Sequence, residues 1–323
     1  MSSEGTAPFE VWRGVPGRGA DGANADEPTY YDRPVLKEPV WIWAVPAYFF
    51  VGGVAGAAAV LGAVAQLADR RGLGRLVRRC RRLAAAGSAA GTALLIYDLG
   101  RPERFLNMLR VFRRTSPLSV GSWVLAAAGP LCVGSAALSE CGGALRGLGD
   151  GAGLAAGALG MPLAGYTAVL LNTTAVPVWQ EPRRSLPPLF VASAVSGAAS
   201  MLELLDLDER EGRIVRRFAV AGKAAELALA AAVDREASRV EGVGAPLRAG
   251  PSGTLLKAAG AATAGSLLLS LASRRSRAGR AAAGVLGVFG AAAVKFGIFQ
   301  AGKASARDPR ATFRLQRAAT AAR

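Results

Sequence analysis

Three ionisable residues stand inside otherwise apolar stretches: Lys223 and Glu226 within residues 213–233, and Lys295 within 280–302. A charge at the centre of a membrane helix costs roughly 2.5–3.5 kcal/mol, whereas each Leu or Val returns only about 0.3–0.6 kcal/mol. Charges kept at such depth pair with one another or serve a function. A carboxyl there can take up and release a proton. An ammonium can neutralise that carboxyl or fix its position. Glu226 has two candidate partners: Lys295 on another helix and Lys223, three residues earlier on the same helical face. The sequence does not choose between them. A purely structural ion pair that sets helix packing is the plainer alternative.

Two features of the composition narrow the chemistry. The 323 residues include no histidine, so neither a haem b held by paired imidazoles nor a histidine proton relay is available. The three cysteines, Cys80, Cys132 and Cys141, form no CxxC or CxxCH pattern. The chain is therefore expected to hold no haem, no iron–sulfur cluster and no metal.

The elements that must position these groups read as membrane helices. Hydrophobic residues make up 51% of the chain and charged residues only 19%, and the two are segregated along it. A span needs about 20 residues to cross about 30 Å of hydrocarbon. Eight stretches qualify: 44–68, 80–99, 120–140, 152–178, 187–205, 213–233, 253–273 and 280–302. The expectation is an all-α integral membrane protein of eight spans. Residues 1–40 read as a polar, extended or disordered tail, 41–303 as the membrane domain and 304–323 as a basic C-terminal tail. The first 30 residues contain no apolar run of the kind a signal peptide needs, so none is expected. The net charge of +16 does not indicate nucleic acid, because the arginines cluster at the ends of apolar runs, where anionic lipid favours them. The short loops opposite the termini are the Arg-dense ones, which predicts that they are cytoplasmic and that both termini are extracytoplasmic.

Polar residues gather toward the side that holds the termini. Tyr48 lies just inside the first span, Asp98 ends the second, Trp123 begins the third and Asn172 nears the end of the fourth. Glu226 and Lys295 each lie seven residues from that side, about 10 Å deep. Glu203 is the main exception on the other side. Between the second and third spans runs Asp98-Leu99-Gly100-Arg101-Pro102-Glu103-Arg104-Phe105, followed by an amphipathic stretch suited to the interface.

Three segments carry a resemblance. PVLKEPVWIWAVPAYFFVGGVAG from Pro34, YDLGRPERFLNMLRVFRRTSPLSVGSW from Tyr97 and YTAVLLNTTAVPVWQEPRR from Tyr166 resemble the NrfD/PsrC family of polysulfide-reductase-like membrane subunits. The resemblance implies a haem-free subunit of eight helices in two four-helix bundles in the plasma membrane. It also implies a quinone substrate of the menaquinone type and an extracytoplasmic, ferredoxin-like iron–sulfur partner, with a molybdopterin oxidoreductase beyond. In relatives the quinone site lies near the iron–sulfur side, which agrees with the polar clustering. The chain departs from some members in having no histidine near the start of the first span.

A quinone needs an apolar slot, hydrogen bonds to its oxygens and a route for protons. On this reading Glu226 and Asp98 handle protons. Tyr48, Arg101, Trp123, Asn172 and Lys295 contact the quinone, with Trp41 and Trp43 as further stacking candidates. Arg101, Glu103 and Arg104 dock the partner. Two other functions compete. One is a structural anchor without quinone chemistry. The other is a secondary transporter using Glu226, Lys223 and Lys295 for coupled protons, although no Pro-broken helix pair stands in matching positions.

Overall fold

The computed structural model describes residues 36–101, 103–272, 276–310 and 312–313. The described part is helical: α1 (Ala44–Asp69), α2 (Gly74–Leu99), α3 (Glu103–Met108), α4 (Pro117–Leu138), α5 (Gly143–Asn172), α6 (Pro177–Gln180), α7 (Leu186–Glu203), α8 (Glu209–Ala237), α9 (Ala245–Arg248), α10 (Gly250–Ala272) and α11 (Arg277–Arg307). Most of the 1–40 tail and residues 314–323 lie outside the described residues.

Local chemistry sets the helix ends. Asp208 accepts the Glu211 N–H and the Glu211 side chain accepts the Asp208 N–H, a capping box that starts α8. Ser116 accepts the Ser119 N–H ahead of Pro117 and opens α4, and Ser276 does the same for α11 through Gly279. Gly100 ends α2 at φ 68°, a left-handed conformation that a side chain would resist.

Six of these helices are long and apolar enough to cross a membrane: α1, α4, α5, α7, α10 and α11. The eight spans expected are thus met by six on length and composition. α2 and α8 are as long, with 26 and 29 residues, but their first turns are rich in charge. α2 also starts six residues before the predicted 80, so Arg75, Arg78 and Arg79 are helical rather than part of a loop.

Short connections make successive long helices antiparallel. α1, α2, α4 and α5 pack around one another, and α7, α8, α10 and α11 form a second group. The groups meet where α7 lies against α1 and α5, and α11 against α1. Gly56 of α1 faces Gly160 of α5 so closely that a Cβ on Gly56 would fall 2.3 Å from the Gly160 carbonyl oxygen. Small residues at this crossing let two backbones meet, as membrane helices require in the absence of a hydrophobic drive. Leu268, Leu271, Val285 and Phe289 remain outward and exposed, which suits a lipid-facing surface.

Candidate functional site

The second helix group holds the buried Lys223, Glu226 and Lys295. Lys223 is the central residue of α8 and is fully buried. Its Nζ donates to Glu203 Oε2 at 2.6 Å and to Ser270 Oγ at 2.9 Å, while Ser270 Oγ donates to Glu203 Oε1 at 2.9 Å. This three-residue cluster ties α7, α8 and α10 together. Lys295 of α11 is also buried. Its Nζ donates to the Phe190 carbonyl of α7 at 2.9 Å and sits 3.6 Å from the centroid of the Phe190 ring. Neither lysine is hydrogen-bonded to Glu226.

Glu226 is 1% exposed, and neither carboxyl oxygen has a hydrogen-bond partner among the described residues. The Ser196 and Ser193 hydroxyls of α7 face it without meeting hydrogen-bond geometry, Ser193 donating instead to the Ala291 carbonyl, and Lys295 and Lys223 stand nearby. The side chain lines a cavity of ≈ 260 Å³ between α8, α10 and α11. Leu189, Leu227, Leu256, Val294 and Ile298 make its walls apolar. Thr263, equally buried and with its hydroxyl unpartnered, faces the same space. Asp234 and Arg248, joined by two hydrogen bonds of 2.8 Å, stand at the rim with exposed Lys257. An unpartnered buried acceptor pays the full desolvation cost of that group. A carboxyl, a hydroxyl and an apolar slot together suit a flat apolar molecule that carries an O–H donor.

The helices run further than their apolar stretches, so both residues stand further from the helix ends than from the ends of those stretches. Glu226 stands 11 residues before the end of α8 at Ala237, about 16 Å by helix rise rather than about 10 Å. Lys295 stands 12 residues before Arg307, about 18 Å.

The other residues singled out from the sequence lie elsewhere. Tyr48 is buried in the first group, where its hydroxyl meets that of Tyr166 from α5. Rings separate it from the second group: Tyr48 to Phe49 at 6.3 Å, Phe49 to Phe190 at 5.9 Å, with Lys295 over Phe190. Similar depth therefore does not put Tyr48 and Glu226 in one site. Asp98 is half-buried and accepts the Ile42 backbone N–H at 3.3 Å, which closes the start of α1 onto the end of α2. Asn172 donates to the Arg183 carbonyl at 3.2 Å and holds the α5–α7 connection. Trp123 is 42% exposed, edge-on to Phe112 at 6.0 Å. Trp41 stacks on Trp179 at 6.2 Å, and Trp43 tilts against Tyr97. Arg101, Glu103 and Arg104 are exposed, and Arg104 donates to the Leu99 carbonyl at 3.4 Å. Ser119 fixes the following loop: its Oγ accepts the Arg113 N–H and donates to the Val111 carbonyl, both at 3.0 Å.

A buried polar cluster at the opposite end escaped the sequence reading. Arg81 is 5% exposed and donates to Ser139 Oγ at 2.5 Å, Gln66 Oε1 at 2.6 Å and Asp150 Oδ1 at 2.8 Å. It is one of five arginines between positions 75 and 82, and type alone does not distinguish it from its exposed neighbours. Glu236 was missed for a similar reason. It accepts both the Ser185 N–H at 3.1 Å and its Oγ–H at 2.6 Å, and so joins α8 to the start of α7.

Residues 34–213 match the family model described as polysulphide reductase, NrfD. The chain belongs to the NrfD family. It is thus a multi-pass membrane protein of a family of membrane subunits of quinone-linked oxidoreductases. The NrfD match contains Tyr48, Asp98, Arg101, Trp123 and Asn172, and it ends before Lys223, Glu226 and Lys295. Among curated proteins none matches the sequence.

Proposed function

We propose that this NrfD protein is the quinol/quinone-reactive membrane subunit of a multi-subunit oxidoreductase and that Glu226 exchanges the substrate proton. The observation that carries the reading is the Glu226 carboxyl, buried with both oxygens unpartnered against an apolar cavity. At ≈ 260 Å³ the cavity is just below the usual range of ligand pockets, about 300–1,000 Å³, and suits a quinone headgroup alone, its isoprenoid tail leaving past Lys257 into lipid. In the oxidising direction Glu226 takes a hydroxyl proton from the quinol. The second proton leaves to water at the rim, and two electrons pass to the iron–sulfur partner. In the reducing direction the same atoms move in reverse. Lys295, fixed on the Phe190 carbonyl, holds its amine nearby without competing for the carboxyl oxygens.

The wider architecture follows from the same reading. α2 and α8 cross the membrane with their neighbours, which gives eight spans in two four-helix bundles. Their length, their antiparallel packing and the neutralised Lys223 support this. The short Arg-dense connections are cytoplasmic and the termini extracytoplasmic. The exposed Arg101, Glu103 and Arg104 then belong to the platform for a ferredoxin-like iron–sulfur subunit, with a molybdopterin oxidoreductase beyond it. The α8–α10 rim is at that same end, since the start of α7 is bonded to the end of α8.

Glu226→Gln tests the proposal. The variant keeps the volume of the side chain and is expected to assemble. Quinol turnover by the complex, measured with a short-chain naphthoquinol, should fall on the order of 10²-fold, the lower range for loss of a general acid–base group. An assembled variant with unchanged turnover overturns it.

A further inference from the structure

The end of the molecule away from the Glu226 rim carries charge that the proposed reaction does not use. Two adjoining cavities of ≈ 480 and ≈ 440 Å³ lie between the α1–α2 connection, the first turns of α2 and the α4–α5 connection. Both are lined by Arg78, Ser139 and Arg146. Arg70 and Arg71 add to the first, Arg75 and Arg82 to the second. Each cavity has one acid, and each acid is already taken. Asp150 pairs with Arg81 at 2.8 Å and with Arg70, and Glu140 pairs with Arg82 at 2.6 Å. Among the described residues, no carboxylate stands within ion-pair distance of Arg71, Arg78 or Arg146.

Three further observations define a ligand. The floor is built rather than fluid: Arg81, 5% exposed, is held by Gln66, Ser139 and Asp150. The field is positive: Glu140 is held below the usual carboxylate range first by its hydrogen bond from Arg82, with the charges of Arg82, Arg78 and Arg146 adding to it. Exposed apolar side chains flank the lining residues along the chain: Leu67, shortly before Arg70, is 74% exposed, and Leu145 and Leu148, either side of Arg146, are 49% and 64% exposed. An anion with attached hydrocarbon satisfies all three, and arginine forks match phosphate oxygens in pairs. Basic pockets between membrane helices bind such headgroups.

We propose that this end of the protein binds an anionic phospholipid whose headgroup carries two phosphodiesters, one in each cavity, bridged across Arg78 and Arg146, with acyl chains along Leu67, Leu145 and Leu148. One headgroup spanning both cavities places its two charges on either side of the arginines they share. A lipid with a single phosphodiester fills one cavity only.

The purified, delipidated full chain tests this by thermal unfolding during titration with cardiolipin, phosphatidylglycerol, phosphatidylcholine or inorganic pyrophosphate. A ligand that binds only the folded state raises the transition temperature with concentration. Cardiolipin is expected to stabilise at the lowest concentration, phosphatidylglycerol at least tenfold higher, and the other two not at all. The Arg78→Ala/Arg146→Ala variant, altered at two exposed positions, should fold and require at least tenfold more cardiolipin. Equal potency of phosphatidylglycerol, stabilisation by pyrophosphate, or a variant that titrates like the wild type would each overturn the proposal.

Discussion

The two helix groups solve the same problem of buried polar side chains in opposite ways. In the first, α1, α2, α4 and α5 close on charged and phenolic groups that satisfy one another, leaving only neutral groups such as the Ser88 and Thr167 hydroxyls without a partner among the described residues: the Tyr48 and Tyr166 hydroxyls meet, and Arg81 uses Gln66, Ser139 and Asp150. In the second, Lys223, Glu203 and Ser270 are satisfied, but one turn of α8 away Glu226 is not, and a cavity opens beside it. A satisfied network stabilises a fold, whereas spare hydrogen-bonding capacity next to empty space marks a place for a ligand. Depth and polarity alone do not separate the two cases. What separates them is whether each buried acceptor already has a donor.

The largest effect expected is in the satisfied part of the second group. Lys223→Met should leave Glu203 buried with one donor fewer and destabilise the chain by about 3–5 kcal/mol. Lys223→Met with Glu203→Gln should recover most of that loss, because no unpaired carboxylate is then left at that position. Thermal unfolding in detergent gives both values. A single variant as stable as the wild type would show that the pair does not hold α7 to α8. A smaller effect should mark the first group. Tyr48→Phe removes one hydrogen bond and should cost about 1 kcal/mol while quinol turnover stays at the wild-type level. Loss of turnover without loss of stability would move the reacting site into the first group and erase the contrast. The smallest effect lies outside both groups, at Glu38. Arg307 chiefly, then Lys303, holds its carboxyl below the usual carboxylate range. Its folded value is the lower one, so its contribution is present above the ordinary carboxylate value and fades as pH falls through the depressed one. Thermal unfolding in detergent, measured at graded acid pH, should show stability falling over that range, and Glu38→Gln should remove that part of the pH dependence. A wild type that shows no acid dependence would dismiss the contact.

Much of the fold was legible because a membrane span writes itself as a long apolar run. The starts of α1, α4, α7 and α10 lie within three residues of the positions that pattern predicts. α2 and α8 were shortened because hydropathy stops where charge begins, while the backbone hydrogen bonds continue: Gly74 to Arg79 and Asp234 to Ala237 are helical although their side chains are largely polar. Glu226 was legible as a charge out of place. Its partner was not, since spacing offered Lys223 and Lys295 equally, and the structure gives Lys223 to Glu203 and Lys295 to a backbone carbonyl. Tyr48 and Glu226 were read as one site from a single coordinate, depth. The missing coordinate, which helices are neighbours, is set by close-packed small residues such as Gly56 and Gly160. In a chain with 41 glycines these have no distinguishing mark.

Trp179 in α6 is fully buried, donates its indole N–H to the Ile298 carbonyl at 2.8 Å and lies between Trp41 at 6.2 Å and Phe299 at 6.3 Å. Those three rings come from the beginning, the middle and the end of the polypeptide. During synthesis the seven long helices before α11 can leave the translocon before it is made, but the slot for Trp179 does not exist until α11 arrives. The same late helix brings Lys295 to the Phe190 carbonyl. A nascent or truncated chain lacking α11 thus exposes a tryptophan and an unfilled face of α7, the kind of signal that membrane proteases and chaperones read. Docking of α11 completes the Trp179 slot and the Lys295 contact in one step.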